Sequence, residues 1–161
     1  MTHMEADTQS QHLTERPELS SYLEHRPDLL RMIREAEVAA LTPQDPGGLD
    51  LDLRAALAGR IARLNGEDKL AEAYLAYLAK DAEKAIADPK AHSDLDRMTG
   101  GILTFADKVA VRPRDVVASD IDALRDAGVS EPDIVRLAEL VAFVSFQVRV
   151  LQGAALMEAQ A

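Results

Sequence analysis

Between Leu51 and Ala79 the chain reads LDLRAALAGRIARLNGEDKLAEAYLAYLA, two alanine-rich amphipathic stretches joined at Asn65-Gly66. Leu53, Leu57, Ile61 and Leu64 recur every three or four residues, the period of one helix face. Leu70, Tyr74, Tyr77 or Leu78, and Ala85 continue that period in a second helix, expected over about 67–87 and stopped by Asp88-Pro89. Asn-Gly also marks β-hairpins, but its flanks here do not alternate as strands would, so Asn65-Gly66 reads as a left-handed helix end. Alanine at this density favours helix and lets two backbones approach closely. A chain built around such a pair is constrained to fold as packed helices.

The flanking segments agree. Residues 1–14 form a polar tail, read as flexible. Arg16-Pro17-Glu18-Leu19 is echoed by Arg26-Pro27-Asp28-Leu29, and each proline is placed to start a helix, near 17–24 and 27–40. Together, residues 15–48 read as an N-terminal helical arm and 49–161 as the main domain. Thr42-Pro43-Gln44-Asp45-Pro46-Gly47-Gly48 breaks the chain, after which Asp50 or Asp52 caps the next helix. Met98, Ile102, Phe105 and Val109 place a helix over Leu95–Val111, with Ser93 or Asp94 as cap. Gly100-Gly101 inside it points to a close helix approach or a kink. A short helix opens at Ser119-Asp120-Ile121-Asp122, close to a capping box, and ends at Ala127-Gly128. Ser130-Glu131-Pro132-Asp133 opens the last helix, whose apolar residues Ile134, Leu137, Leu140, Val141, Phe143, Val144, Val148 and Leu151 cover more than one side. Phe146 to Val150 alternates like a strand, but too briefly to override the helical period around it. The expected fold is all-α, a single-domain bundle of six or seven helices with an N-terminal helical arm.

The 161 residues suffice for one domain with a core. Aromatics are only 4%, so that core is aliphatic. The net charge of -10 disfavours nucleic acid and anionic membranes, because basic residues alternate with acids rather than cluster. There is no cysteine, which excludes thiol redox chemistry and thiolate metal sites by this chain. His3, His12, His25 and His92 share no ligand spacing, so no metal is expected. No phosphate loop, dinucleotide fingerprint or Gly-x-Ser-x-Gly occurs, and no cofactor is called for. The polar, acidic N-terminus and the lack of a long clean apolar run read as a cytoplasmic protein.

Four segments in order resemble the carboxymuconolactone decarboxylase-like superfamily, which includes alkylhydroperoxidase D and peroxidase-related proteins. They are Arg60-Ile61-Ala62-Arg63-Leu64-Asn65-Gly66; Phe105-Ala106-Asp107-Lys108 ahead of Arg112-Pro113; Ile121 to Ile134; and Val141-Ala142-Phe143 through Phe146 to Arg149. The likeness covers about residues 50–153. Redox members of that family carry a glutamate, eleven residues, then Cys-x-x-Cys-x-x-x-His. The resemblance places these at Ala55, Glu67, Leu70 and Tyr74, and all four are replaced here. It therefore implies the family's helical fold without thiol peroxidase activity. It also implies a homo-oligomer, with the small-residue faces Ala55, Ala56, Ala58, Gly59, Ala62 and Ala71, Ala73, Ala76, Ala79 packed either between subunits or within one.

Three candidate site residues follow. Glu67 stands at the attacking-cysteine position and Tyr74 at the proton-relay histidine position, seven residues apart on one helix. If the inherited cleft survives, Glu67 is a partly buried carboxylate with a raised pKa and Tyr74 its neighbour. The plainer reading is an acidic first turn and a core tyrosine. Arg149, beside Ser145 and Gln147 in an apolar helix, either orients an anion or snorkels to the surface. Two functions are compatible with these residues. One is a non-redox protein binding a small molecule or a partner such as a related peroxidase-like protein. The other is a cysteine-independent lyase or isomerase working by acid–base chemistry.

Overall fold

The computed structural model describes residues 26–79, 84–90 and 95–159. Among them are six α-helices and no strand. In chain order they are α1 (Pro27–Leu41), α2 (Leu51–Leu64), α3 (Asp68–Leu75), α4 (Arg97–Val111), the 3-10 turn Pro113–Asp115, α5 (Ala118–Asp126) and α6 (Glu131–Glu158). The expected tail and the helix near 17–24 lie outside the described residues. The all-α expectation holds, and Phe146 to Val150 is helical within α6.

Most starts and stops follow the sequence chemistry. Pro27 sits in the first turn of α1. Asp50 caps α2 by accepting the Leu53 N–H at 2.8 Å, and Gly66 leaves that helix with φ 79°. Ser130 caps α6 by accepting the Asp133 N–H, and Gly128 closes α5 with φ 95°.

Three expectations are corrected. Among the described residues, the helix expected over 67–87 is α3, which ends at Leu75. Tyr77 and Leu78 then bond three residues back in tightened turns, and the Asp52 carboxylate of α2 takes the Ala79 N–H at 2.7 Å. A long-range acceptor thus captures the chain where helical period alone would carry it on. The cap of α4 is Asp96, which accepts from both Met98 and Thr99, while the expected caps Ser93 and Asp94 lie outside the described residues. The short helix starts at Ala118 instead of after Ser119. Asp120 accepts the Val117 N–H at 2.7 Å while its two oxygens also hold Lys108 of α4.

The core is aliphatic. α2 lies at its centre, packed against α3, α4 and α6, with Ala55, Ala56, Leu57, Ala58, Ile61 and Ala62 all buried. The small-residue face of α2 is therefore used within the chain. At Gly59 a Cβ would meet Leu75 Cδ2 at 3.0 Å, so glycine sets the close α2–α3 approach. At Gly101 a Cβ would meet Ala127 at 3.0 Å, which identifies that glycine as a close approach between α4 and the end of α5. The last helix runs through the core as well, burying Ile134, Leu137, Leu140, Val141, Val144, Val148 and Leu151.

Two buried arginines on α2 tie down irregular chain. Arg60 pairs through Nε and Nη2 with both oxygens of Asp107 on α4, at 2.6 and 2.7 Å. It also donates to the carbonyls of Ile86, Asp88 and Pro89. Arg63, one turn on, takes the Ala87 carbonyl. Arg54 donates to three main-chain carbonyls, those of Ala40, Pro46 and Leu49, and so fixes the α1–α2 connection.

Candidate functional site

Tyr74 lies on the inner side of α3 and has no exposed surface. Its hydroxyl donates to Oε1 of Gln147 on α6. The Gln147 amide in turn donates through Nε2 to Glu37 Oε2 on α1, at 3.2 Å. Glu37 is 2% exposed and Gln147 is 1% exposed, so the chain of three side chains is sealed from water. It crosses three helices inside an aliphatic core. Glutamine suits the middle place because its amide accepts at one end and donates at the other.

Burial dominates the electrostatics. It pushes the Glu37 carboxyl up to about 8, against lesser opposing effects from the Gln147 hydrogen bond and the Arg34 charge. Burial, then the nearness of Glu37 and Tyr77, raises the Tyr74 hydroxyl well above its ordinary range. Tyr77, half-buried past the end of α3, is raised by burial and by Glu37 as well. Near neutral pH the cluster is thus mostly uncharged, a carboxyl, an amide and two phenols. A carboxyl of this kind can give or take a proton close to physiological pH.

Of the three residues singled out from the sequence, the structure brings only Tyr74 into this cluster. Glu67 is half-buried at the mouth of α3, its N–H bonded to the Ala62 carbonyl at 2.9 Å. The carboxyl linked to the Tyr74 hydroxyl through Gln147 is that of Glu37. Arg149 is exposed and donates to the Ser145 carbonyl one turn back at 2.9 Å, which is the snorkelling arrangement. Ser145 Oγ is buried and meets no hydrogen-bond partner among the described residues. Ala55 and Leu70, where the resemblance puts a glutamate and the second cysteine, are plain core residues.

Glu37 escapes a reading of the sequence because it sits in the surface-like run Arg34-Glu35-Ala36-Glu37. One signal was available. Ile33, Glu37, Ala40 and Leu41 share the inner stripe of α1, so a carboxylate falls on its apolar face.

A narrow notch with no room for a water molecule is lined by Glu37, Val38, Leu41, Thr42 and Tyr77. Among the described residues, no group of three or more His, Asp or Glu side chains is placed to hold a metal ion. No described helix is long and apolar enough to cross a membrane.

Solved structures share this arrangement of helices. An uncharacterized peroxidase-related protein from Silicibacter sp. TM1040 aligns over 81% of this chain and 70% of its own, with a TM-score of 0.57 and 17% identity. An uncharacterized peroxidase-related protein from Ralstonia eutropha JMP134, described as an alkylhydroperoxidase AhpD core, aligns over 91% of this chain and 83% of its own, with a TM-score of 0.60 and 22% identity. This chain has the alkylhydroperoxidase D-like fold. No family model and no curated protein matches the sequence. In this alkylhydroperoxidase D-like chain no cysteine is present anywhere, so the fold is kept without the residues of a thiol peroxidase.

Proposed function

We propose that this chain is a non-redox, homo-oligomeric, cytoplasmic protein of the carboxymuconolactone decarboxylase and alkylhydroperoxidase D-like group that binds a small molecule beside Tyr74. The observation that carries this reading is the Glu37–Gln147–Tyr74 chain. At the place where the resemblance puts a proton-relay histidine, an uncharged polar cluster is buried in an otherwise aliphatic core. Buried polar groups of this sort set the orientation of a small ligand in an apolar site. A second reading has its own support. A carboxyl held near 8 beside a phenol fits a cysteine-independent lyase or isomerase, with Glu37 and Tyr74 as its acid–base pair.

Self-association is supported by α6. Val135, Ala138, Ala142 and Phe146 recur every three or four residues along its outer side and are exposed, as are Leu156 and Met157 near its end. A helix apolar on both sides is suited to burying both. A partner of another kind, such as a related peroxidase-like protein, would use the same face.

Two measurements test the reading. The purified protein is expected to show no thiol-dependent turnover of an organic hydroperoxide, and any such turnover would remove the non-redox assignment. Native mass spectrometry of protein from its own host is expected to give a homo-oligomer with a retained small adduct. A monomer would count against the assembly, and a bare oligomer against the ligand.

A further inference from the structure

One side of α6 is left uncovered by the fold. Val135, Glu139, Ala142, Phe146, Arg149 and Gly153 follow one another at alternating steps of four and three residues, the 3.5-residue period of a helix seam suited to a second helix. The first five are exposed, Val135 at 59% and Phe146 at 45%. Among the described residues no ion pair holds Glu139, and Arg149 bonds only the Ser145 carbonyl. Gly153 has no role within the subunit either. A Cβ there would meet nothing within 4 Å, and glycine weakens a helix interior.

The order of these six residues makes the stripe complementary to its own reverse. When a second α6 is laid antiparallel about a two-fold axis at the level of Val144, Glu139 comes level with the partner subunit's Arg149. Ala142 comes level with the partner subunit's Phe146, and Val135 with the partner subunit's Gly153. The two-fold repeats each contact, so every large apolar side chain meets a small residue and every charge its opposite. A parallel pair in register would instead set glutamate on glutamate, arginine on arginine and phenylalanine on phenylalanine, with a gap at the glycines. We propose that two copies of this chain associate through an antiparallel α6 pair in this register, with Phe146 seated over Ala142 of the partner subunit and Glu139 paired to Arg149 of the partner subunit. The proposal rests on the homo-oligomer reading above and gives it a face, an orientation and a register. From Val135 to Gly153 the seam runs about 27 Å.

Charge reversal on the full chain tests the register. Glu139→Arg sets a like charge against the partner subunit's Arg149 at both symmetry-related contacts, and Arg149→Glu does the same against the partner subunit's Glu139. In sedimentation equilibrium each is expected to weaken association at least about tenfold, and the double exchange, Glu139→Arg with Arg149→Glu, to restore it. Because the chain has no cysteine, a cross-link gives an independent readout. Val135→Cys with Gly153→Cys is expected to yield on oxidation a covalent dimer whose peptides join position 135 to position 153 of the partner subunit. The two positions lie about 27 Å apart on one helix, too far to close within a subunit. Single reversals that leave the assembly unchanged, a double exchange no tighter than the singles, or the absence of the cross-link each overturn the proposal while leaving the homo-oligomer reading in place. A monomeric wild type removes both.

Discussion

Arg60→Ala is expected to lower unfolding stability by about 3 kcal/mol, the largest single effect we anticipate. The guanidinium is fully buried and uses five donor contacts, two to Asp107 and one each to the carbonyls of Ile86, Asp88 and Pro89. Truncation strands those carbonyls and leaves a carboxylate without its cation. The Asp107 side chain is 23% exposed, so water relieves part of that charge, which places the loss at the lower end for a broken buried pair. Arg60→Lys is expected to recover little, because an ammonium cannot match the bidentate fork to Asp107 and reach the carbonyls as well. Urea unfolding of the three proteins decides the matter. A loss under about 1 kcal/mol, the scale of an exposed ion pair, would mean that the 84–90 segment does not depend on Arg60.

The second large effect is a pH dependence. The Glu37 carboxyl stands at about 8 in the folded protein against 4.5 unfolded. A group whose folded value is raised contributes its full stability below the unfolded value and loses it as pH rises through the folded one. Between about pH 5 and pH 8 the wild type is therefore expected to lose roughly 3 kcal/mol on this account. Glu37→Gln keeps the shape and an acceptor for Gln147 but cannot ionise, so its profile should be flat over that window and its stability higher at the alkaline end. Asp96, Asp120, Glu131 and Asp133 are all shifted downward, by hydrogen bonds and cations. Their contributions are present above the ordinary carboxylate values and vanish as pH falls, so they act on the acid side and do not mask Glu37. Chemical unfolding at several pH values gives the answer, and parallel wild-type and Glu37→Gln profiles would show that the neutral buried carboxyl is misassigned.

The sequence declared its helices through local chemistry. Pro27, Asp50, Ser130, Gly66 and Gly128 each act within a turn of themselves, and each does in the structure what its position suggests. The largest error comes from a contact between distant segments. α3 stops early because Asp52, on the preceding helix, supplies an acceptor to Ala79. The arginines of the Arg60–Gly66 segment could be noticed, but the carbonyls they hold lie in a segment whose path no periodicity describes. The site was half legible for the same reason. Tyr74 was reached through the resemblance, but the role of Glu37 depends on Gln147, far along the chain on α6. Arg149 drew attention by its apolar neighbours, and α6 simply turns it outward.

The three carbonyls that hold Arg54 have a mechanical consequence. A main-chain carbonyl neither gains nor loses a proton across the ordinary pH range, so the Arg54–Ala40 contact at 2.7 Å stays in place at acid and alkaline pH alike. The C-terminal end of α1 is therefore pinned to α2 by a side chain that also fixes Pro46 and Leu49, so the helix end and the connection after it are held as one piece.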